Sequence, residues 1–146
     1  MAQPHTYTFG EFLIEVGNGL DPETFGAPCG LTSKSFNAQA ATSDTNVPDC
    51  DDPDAPSWLE RDVTSLSRDI TGSGVLAEAS LETWDDWFTS GNTKNVQISL
   101  TDGVNGTRVW SGAYILSGFE ITGQIGEKVQ VNVTMLSDGE ITREDS

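Results

Sequence analysis

Basic side chains are scarce in this chain: seven Lys and Arg stand against 23 Asp and Glu, a formal net charge of −16. There is no basic stripe, and a surface of this sign repels phosphate, so ordinary DNA or RNA binding is disfavoured and so is adhesion to anionic membranes. Histidine is rarer still. His5 is the only one, and it lies in a segment that reads as an exposed N-terminal arm, so a Ser-His-Asp or Cys-His set would have to recruit a tail residue. Cysteine is limited to Cys29 and Cys50. Two are too few to define a disulfide framework, and with one distant His they make a poor zinc set. Free thiols in a reducing compartment are the simpler reading, with pairing left open. No apolar run approaches the roughly 20 residues of a membrane helix. No basic region followed by an apolar run opens the chain, so no secretory signal is expected. P-loop and dinucleotide fingerprints are absent. Carboxylates are so abundant that a glycosidase-type pair has no specificity. None of these patterns points to catalysis, a zinc centre or a cofactor.

What the chain does have is β patterning over a length suited to one domain. Residues 1–10 read as a flexible arm, 11–137 as one β domain and 138–146 as an acidic tail. Phe12-Leu-Ile-Glu-Val-Gly17 alternates, with Phe12, Ile14 and Val16 inward. Asn18-Gly19 and Asp21-Pro22 are turn chemistry. A second strand covers about Gly30 to Asn37. A third covers Thr64 to Leu76, with Leu66, Ile70 and Leu76 on one face. Gly72 and Gly74 share that face, which predicts a close backbone approach or a bulge. A helix is expected over 80–90, capped by Ser80, stopped by Gly91, and laying Leu81, Trp84 and Phe88 on the sheet. Asn95-Val-Gln-Ile-Ser-Leu100 and Lys128-Val-Gln-Val-Asn-Val-Thr-Met135 alternate cleanly. Between them runs a long strand, Thr107 to Thr122, reached through Asp102-Gly103 and Asn105-Gly106 and bent at Gly112 or Gly118. Tight turns between neighbours predict mostly antiparallel pairing.

Two features remain. A long acidic insert, 38–62, holds seven carboxylates against Arg61 alone, and three prolines. It is too charged to fold on itself, and a structureless connection of that length predicts ordering by something outside the monomer. Within it Asp49-Cys-Asp51-Asp-Pro-Asp54, with Glu60, echoes an EF-hand loop. However, Asp54 replaces the required glycine and Pro53 takes a ligand position. Trp58 lies in the insert, whereas Trp84, Trp87 and Trp110 sit at helix or strand spacings typical of core. Second, the outward faces of the clean strands are neutral and polar: Asn95, Gln97 and Ser99 in one, Gln130, Asn132 and Thr134 in the other. Such faces tolerate burial when hydrogen bonded. They are either a solvated surface or one that meets another subunit or lines a channel.

Three stretches carry a family resemblance. Cys29-Gly-Leu-Thr-Ser-Lys-Ser-Phe-Asn37 leads through small residues into a long loop ending near Trp58. Ile70-Thr-Gly-Ser-Gly-Val-Leu76 runs into the helix Leu81 to Phe88. Gly118-Phe-Glu-Ile121 leads to Lys128-Val-Gln-Val-Asn-Val133. In this order and spacing the chain resembles the tail tube (major tail) proteins of long-tailed bacteriophages, including those of gene transfer agents. The Pro-Asp-rich run Pro48 to Pro56 departs from the shorter loop expected of the family.

The resemblance implies a mainly β fold: a sandwich or flattened barrel of two antiparallel sheets, one flanking helix, and the long loop. It implies six copies in a ring, rings stacked into a tube in the virion tail, assembly in the host cytoplasm, and DNA passing through the lumen as cargo rather than ligand. With this net charge the lumen is expected to be acidic, so that repulsion lets DNA slide. Distal tail, tape measure and terminator proteins would be its other partners. On this reading Asp44, Val47, Trp58, Leu59, Arg61 and Asp62 contact neighbouring subunits or rings, with Trp58, Leu59 and Arg61 as anchors. The neutral strand faces then build the inner wall or the ring contact. The alternatives are a secreted β-sandwich module for sugar, with or without calcium, or another tail or neck ring component.

Overall fold

A computed structural model describes residues 3–17, 25–27, 30–102 and 106–145. Among these residues a short 3₁₀ turn, Phe9–Glu11, precedes eight strands and one helix. The strands are β1 (Phe12–Gly17), β2 (Phe25–Gly26), β3 (Leu31–Asn46), β4 (Leu59–Val75), β5 (Lys94–Asp102), β6 (Gly106–Thr122), β7 (Gln130–Ser137) and β8 (Thr142–Asp145); α1 (Glu78–Ser90) follows β4. Every ladder is antiparallel.

The fold is mainly β with one helix, as expected, but the strands form one sheet rather than two. Its order is β2-β1-β5-β6-β7-β4-β3, with β8 also on β6. The join is β6. Its first half, Gly106 to Tyr114, pairs with β5, and its second, Tyr114 to Thr122, pairs with β7 across an irregularity at Leu116/Gly118. One strand serving both halves keeps the hydrogen bonding continuous where two separate sheets were anticipated. The sheet curls over its own core without closing. Lys34 on β3 donates its Nζ hydrogen to the Phe12 carbonyl on β1 at 2.8 Å, although these strands lie near opposite ends of the order.

The enclosed face carries the core: Ile14 and Val16, Ile70, Val96 and Ile98, Tyr114 and Leu116, Val131, Val133 and Met135. Alternation puts them there, since every second residue of a strand shares a face. Trp84 and Trp87 of α1 complete the cluster, stacked with ring centroids 6.1 Å apart. Phe12 packs against it only partly buried.

Several expectations are corrected. The helix starts at Glu78 with Ala77 at its N-cap; Ser80 is inside the first turn, its N–H donating to the Ala77 carbonyl. Gly91 ends it at φ 68°, as the left-handed stop requires. Trp87, not Phe88, faces the core with Trp84, because buried positions 80, 84 and 87 define the stripe. Trp87 Nε1 also finds the Asn92 carbonyl at 2.9 Å, and Phe88 is half exposed. Leu66 is not core but 79% exposed. Within the acidic tail, Thr142–Asp145 pairs with β6. In the exposed N-terminal arm, His5 Nε2 lies 3.2 Å from the buried Asp102 carboxylate. The turns at 18–19 and 21–22 and Cys29 lie outside the described residues, and with Cys29 the question of its pairing; Cys50 is exposed. Asp102 pairs with Gly106 across the anticipated β5–β6 hairpin.

The largest correction concerns the acidic insert. Residues 38–46 and 59–62 are paired strand, Ala38 opposite Arg68 through Asn46 opposite Leu59. Only 47–58 is loop. Ser, Thr, Ala and Asn dominate 38–46, and extended pairing lets them satisfy their backbone groups across the ladder despite the charge.

Candidate assembly surfaces

The β3–β4 hairpin stands clear of the domain. From Asn37 to Leu66 every residue except Ala55 is exposed. A two-stranded ribbon with both faces in water is marginal by itself, so its register decides what it offers. Ala41 pairs with Ser65 but Thr42 with Val63, leaving Thr64 as the extra residue of a bulge; the Thr64 hydroxyl donates to the Ala41 carbonyl at 3.0 Å. Without the bulge Val63 and Leu66 would fall on opposite faces. With it, Leu66, Val63, Arg61 and Leu59 share one face with Ile70 and Phe36. The core face of the sheet thus continues onto the hairpin as a solvent-facing row of Leu66, Val63 (62% exposed) and Leu59. Composition did not distinguish Val63 and Leu66 as surface residues; the signal was one unpaired Thr between them.

The tip is built by turn chemistry. The Asp51 N–H donates to Asp49 Oδ1 at 2.9 Å, and Ala55 N–H to the Asp52 carbonyl at 3.1 Å. Pro53 and Asp54 sit between them, where a turn favours Pro. Among the described residues no three His, Cys, Asp or Glu converge as a metal site. Trp58 closes the loop at 92% exposure, with Val47 exposed opposite. Arg61 Nε lies 3.3 Å from Asp44 Oδ1 across the same hairpin. An exposed pair of this kind is worth about 0–1 kcal/mol. Asp62, opposite Ser43, faces solvent.

The neutral residues fall into two separate patches. Asn95, Gln97 and Ser99 lie beside β6 residues 109–113. Gln97 sits in a cross-strand row with Glu15 and Ser111, and Ser99 is 8% exposed. Gln130, Asn132 and Thr134 lie beside the far half of β6 and next to β4. There Ser33, Ser73, Asn132 and Glu120 form one row and Ser35, Thr71 and Thr134 another. The first patch lies on β5 and the second on β7, on opposite sides of β6 in the strand order.

A third surface follows the seam where β1 and β3 approach. Tyr7, Thr8, Phe9, Phe12, Phe36 and Leu100 line an open groove of about 430 Å³. Lys34 Nζ sits 4.4 Å from the Phe9 ring centre, and the Arg68 guanidinium 5.6 Å from that of Phe36, both within cation–π range. Burial pulls the Lys34 amine below its ordinary range.

Comparison with known proteins places this geometry. The profile of the family described as phage tail tube protein matches residues 6–143. Comparison with the curated proteins finds no match. Among solved structures, the chain is similar to one from the tail of an empty gene transfer agent particle refined with C6 symmetry, at 19% identity and TM-score 0.72, covering 94% of this chain and 98% of that one. It is similar to the SPP1 tail tube at 9% identity and TM-score 0.66, covering 97% and 80%. A chain from the sheath/tube terminator of an extracellular contractile injection system matches at 15% identity and TM-score 0.66, covering 98% and 99%.

Proposed function

The chain belongs to the phage tail tube protein family, and from that premise we propose that it is the repeating subunit of a phage or gene transfer agent tail, six copies to a ring as in the C6-symmetric relative. Family membership makes it a structural protein and not an enzyme. Rings stack into a hollow tube in the virion tail, and DNA passes through the lumen during delivery. The observation that carries this reading is the hairpin, whose apolar row and Trp58 are exposed to solvent and whose ribbon is marginal without a partner. The hairpin docks on neighbouring copies through Val47, Trp58, Leu59, Val63 and Leu66, with Asp44, Arg61 and Asp62 at its polar margin.

Of the two neutral patches, the one on β7 and β4 suits the inner wall. It spans four strands, and its Ser, Thr, Asn and Gln side chains with Glu120 offer DNA no cation to hold it. Asn95, Gln97 and Ser99 then face a sibling or the outer surface. Distal tail, tape measure and terminator proteins meet the ends of the tube. The likeness to a tube terminator chain keeps a second reading, a ring that ends the tube. Sugar binding is less favoured, because Trp84 and Trp87 are buried and Trp110 is partly buried, which leaves Trp58 alone where a sugar platform would need several exposed rings.

Electron microscopy of the purified chain across a concentration series tests the proposal. Stacked rings support a tube subunit, and single rings that never stack support the terminator reading. A monomer at every concentration, alone and with a tail tip to nucleate it, removes both.

A further inference from the structure

The tube reading leaves open what receives the hairpin tip. We propose that Trp58 and the carboxylates beside it dock in the aromatic seam groove of a second copy of this chain, against Tyr7, Phe9, Phe12, Phe36 and Leu100. This rests on the reading of the chain as a self-assembling subunit and names the receptor that reading lacks.

Three observations select the groove. The first is shape and polarity. Trp58 is almost fully exposed at the end of the hairpin, and the groove is a concave apolar surface of about 430 Å³. The second is charge. Asp49, Asp51, Asp52, Asp54 and Glu60 surround the tip, and the chain has only seven Lys and Arg. Two of these, Lys34 and Arg68, stand over rings of this groove. Arg68 also lines the groove at the hairpin's own base, with Leu66 and Ile141, but that lining includes Glu140, which repels an acidic tip. The lining of the seam groove includes no carboxylate, and Glu11 beside it is engaged by Thr8. The third is reach. The Asn46–Leu59 pair that borders the tip lies ten residues along β3 from Phe36. At about 3.3 Å per residue the tip is roughly 33 Å from its own groove, so the occupant is another molecule. Tip and groove are different patches, which makes the contact heterologous, the kind that closes a ring or propagates a stack.

Photo-cross-linking tests this directly. A benzophenone amino acid replaces Trp58, and ¹⁵N-labelled and unlabelled chains are mixed before illumination. Mixed-label adducts to residues 7–12, 34–36 or 100 are expected. Adducts confined to one chain, or to another surface, overturn the proposal. As a second measure, Trp58→Ala and Phe9→Ala are each expected to raise the concentration at which rings form by about tenfold or more, with thermal midpoints unchanged. Wild-type assembly by both variants overturns it. Microscopy of the same samples separates the two ideas. Tubes with adducts elsewhere sink the groove and keep the tube, whereas groove adducts without rings or tubes keep the groove and sink the tube.

Discussion

Tyr114 shows how one residue couples packing to pH. It lies on β6 at the centre of the core with no exposed surface, and among the described residues its hydroxyl has no hydrogen-bond partner. Burial first, and the nearby Asp69 carboxylate second, push its pKa up to about 12. An unfolded chain releases this proton near pH 10 while the folded chain keeps it. Stability is therefore unaffected below about pH 10 and falls by about 1.4 kcal/mol per pH unit from there to about 12. Tyr114→Phe removes that alkaline loss. It also removes a buried polar atom without a partner, so at neutral pH it should be neutral or stabilising by about 1 kcal/mol. Urea titrations of both proteins at pH 7 and pH 11 read both effects; an unchanged slope in the variant counts against the assignment. His5 makes the complementary point. As a lone histidine near the chain start it read as a free tail residue, and only the fold revealed the buried Asp102 beneath it.

At the level of elements, glycines in β4 decide how closely β3 can lie. Gly72 and Gly74 stood out in the sequence because two glycines shared an otherwise apolar face. In the fold a Cβ on Gly74 would run into the Gly30 carbonyl and the backbone of Leu31 and Thr32. These are main-chain atoms beside the register shift at Leu31/Ser33, and they cannot yield as a side chain would. Gly118, at the β6 irregularity, leaves ordinary room beside Thr134. Gly74→Ala is expected to cost about 2 kcal/mol or more, and Gly118→Ala less than about 1 kcal/mol. Thermal melts of the pair check this, and equal losses would refute the close-approach account. The hairpin is the element that sequence reasoning misjudged most. High charge and three prolines argued for a structureless loop, yet the prolines lie in the 47–58 loop, and the flank 38–46 holds mostly small polar residues, pairing at its end with the charged flank 59–62. Local charge was outweighed by a ladder between the two arms of one hairpin, Asn46 opposite Leu59 through Ala38 opposite Arg68.

For the whole molecule, net charge sets the terms of association. Each copy carries −16, so copies repel at distances where individual patches are not resolved. The Debye length falls from about 30 Å at 0.01 M salt to about 8 Å at 0.15 M. Screening at the higher salt leaves the apolar hairpin contacts, which are indifferent to salt of this strength, to act without that opposition. Assembly followed by light scattering should therefore be several-fold faster at 0.15 M than at 0.01 M. A slower rate would mean that attraction between tip carboxylates and the groove cations dominates the encounter.

Alternation in β5 and β7 and the αL stop at Gly91 were present in the amino-acid order because each depends on neighbours within a few residues, and the family likeness was present in the order and spacing of three stretches along the chain. Tertiary structure alone decided the rest. It joined both halves of the molecule through β6 into one curled sheet and chose Trp87 over Phe88. It put the two neutral patches on opposite sides of β6 in the strand order and brought Phe9 and Phe12 to Phe36 along a seam. These depend on contacts between segments far apart in the chain, and one slipped or bulged residue, as at Thr64, changes which face a side chain presents.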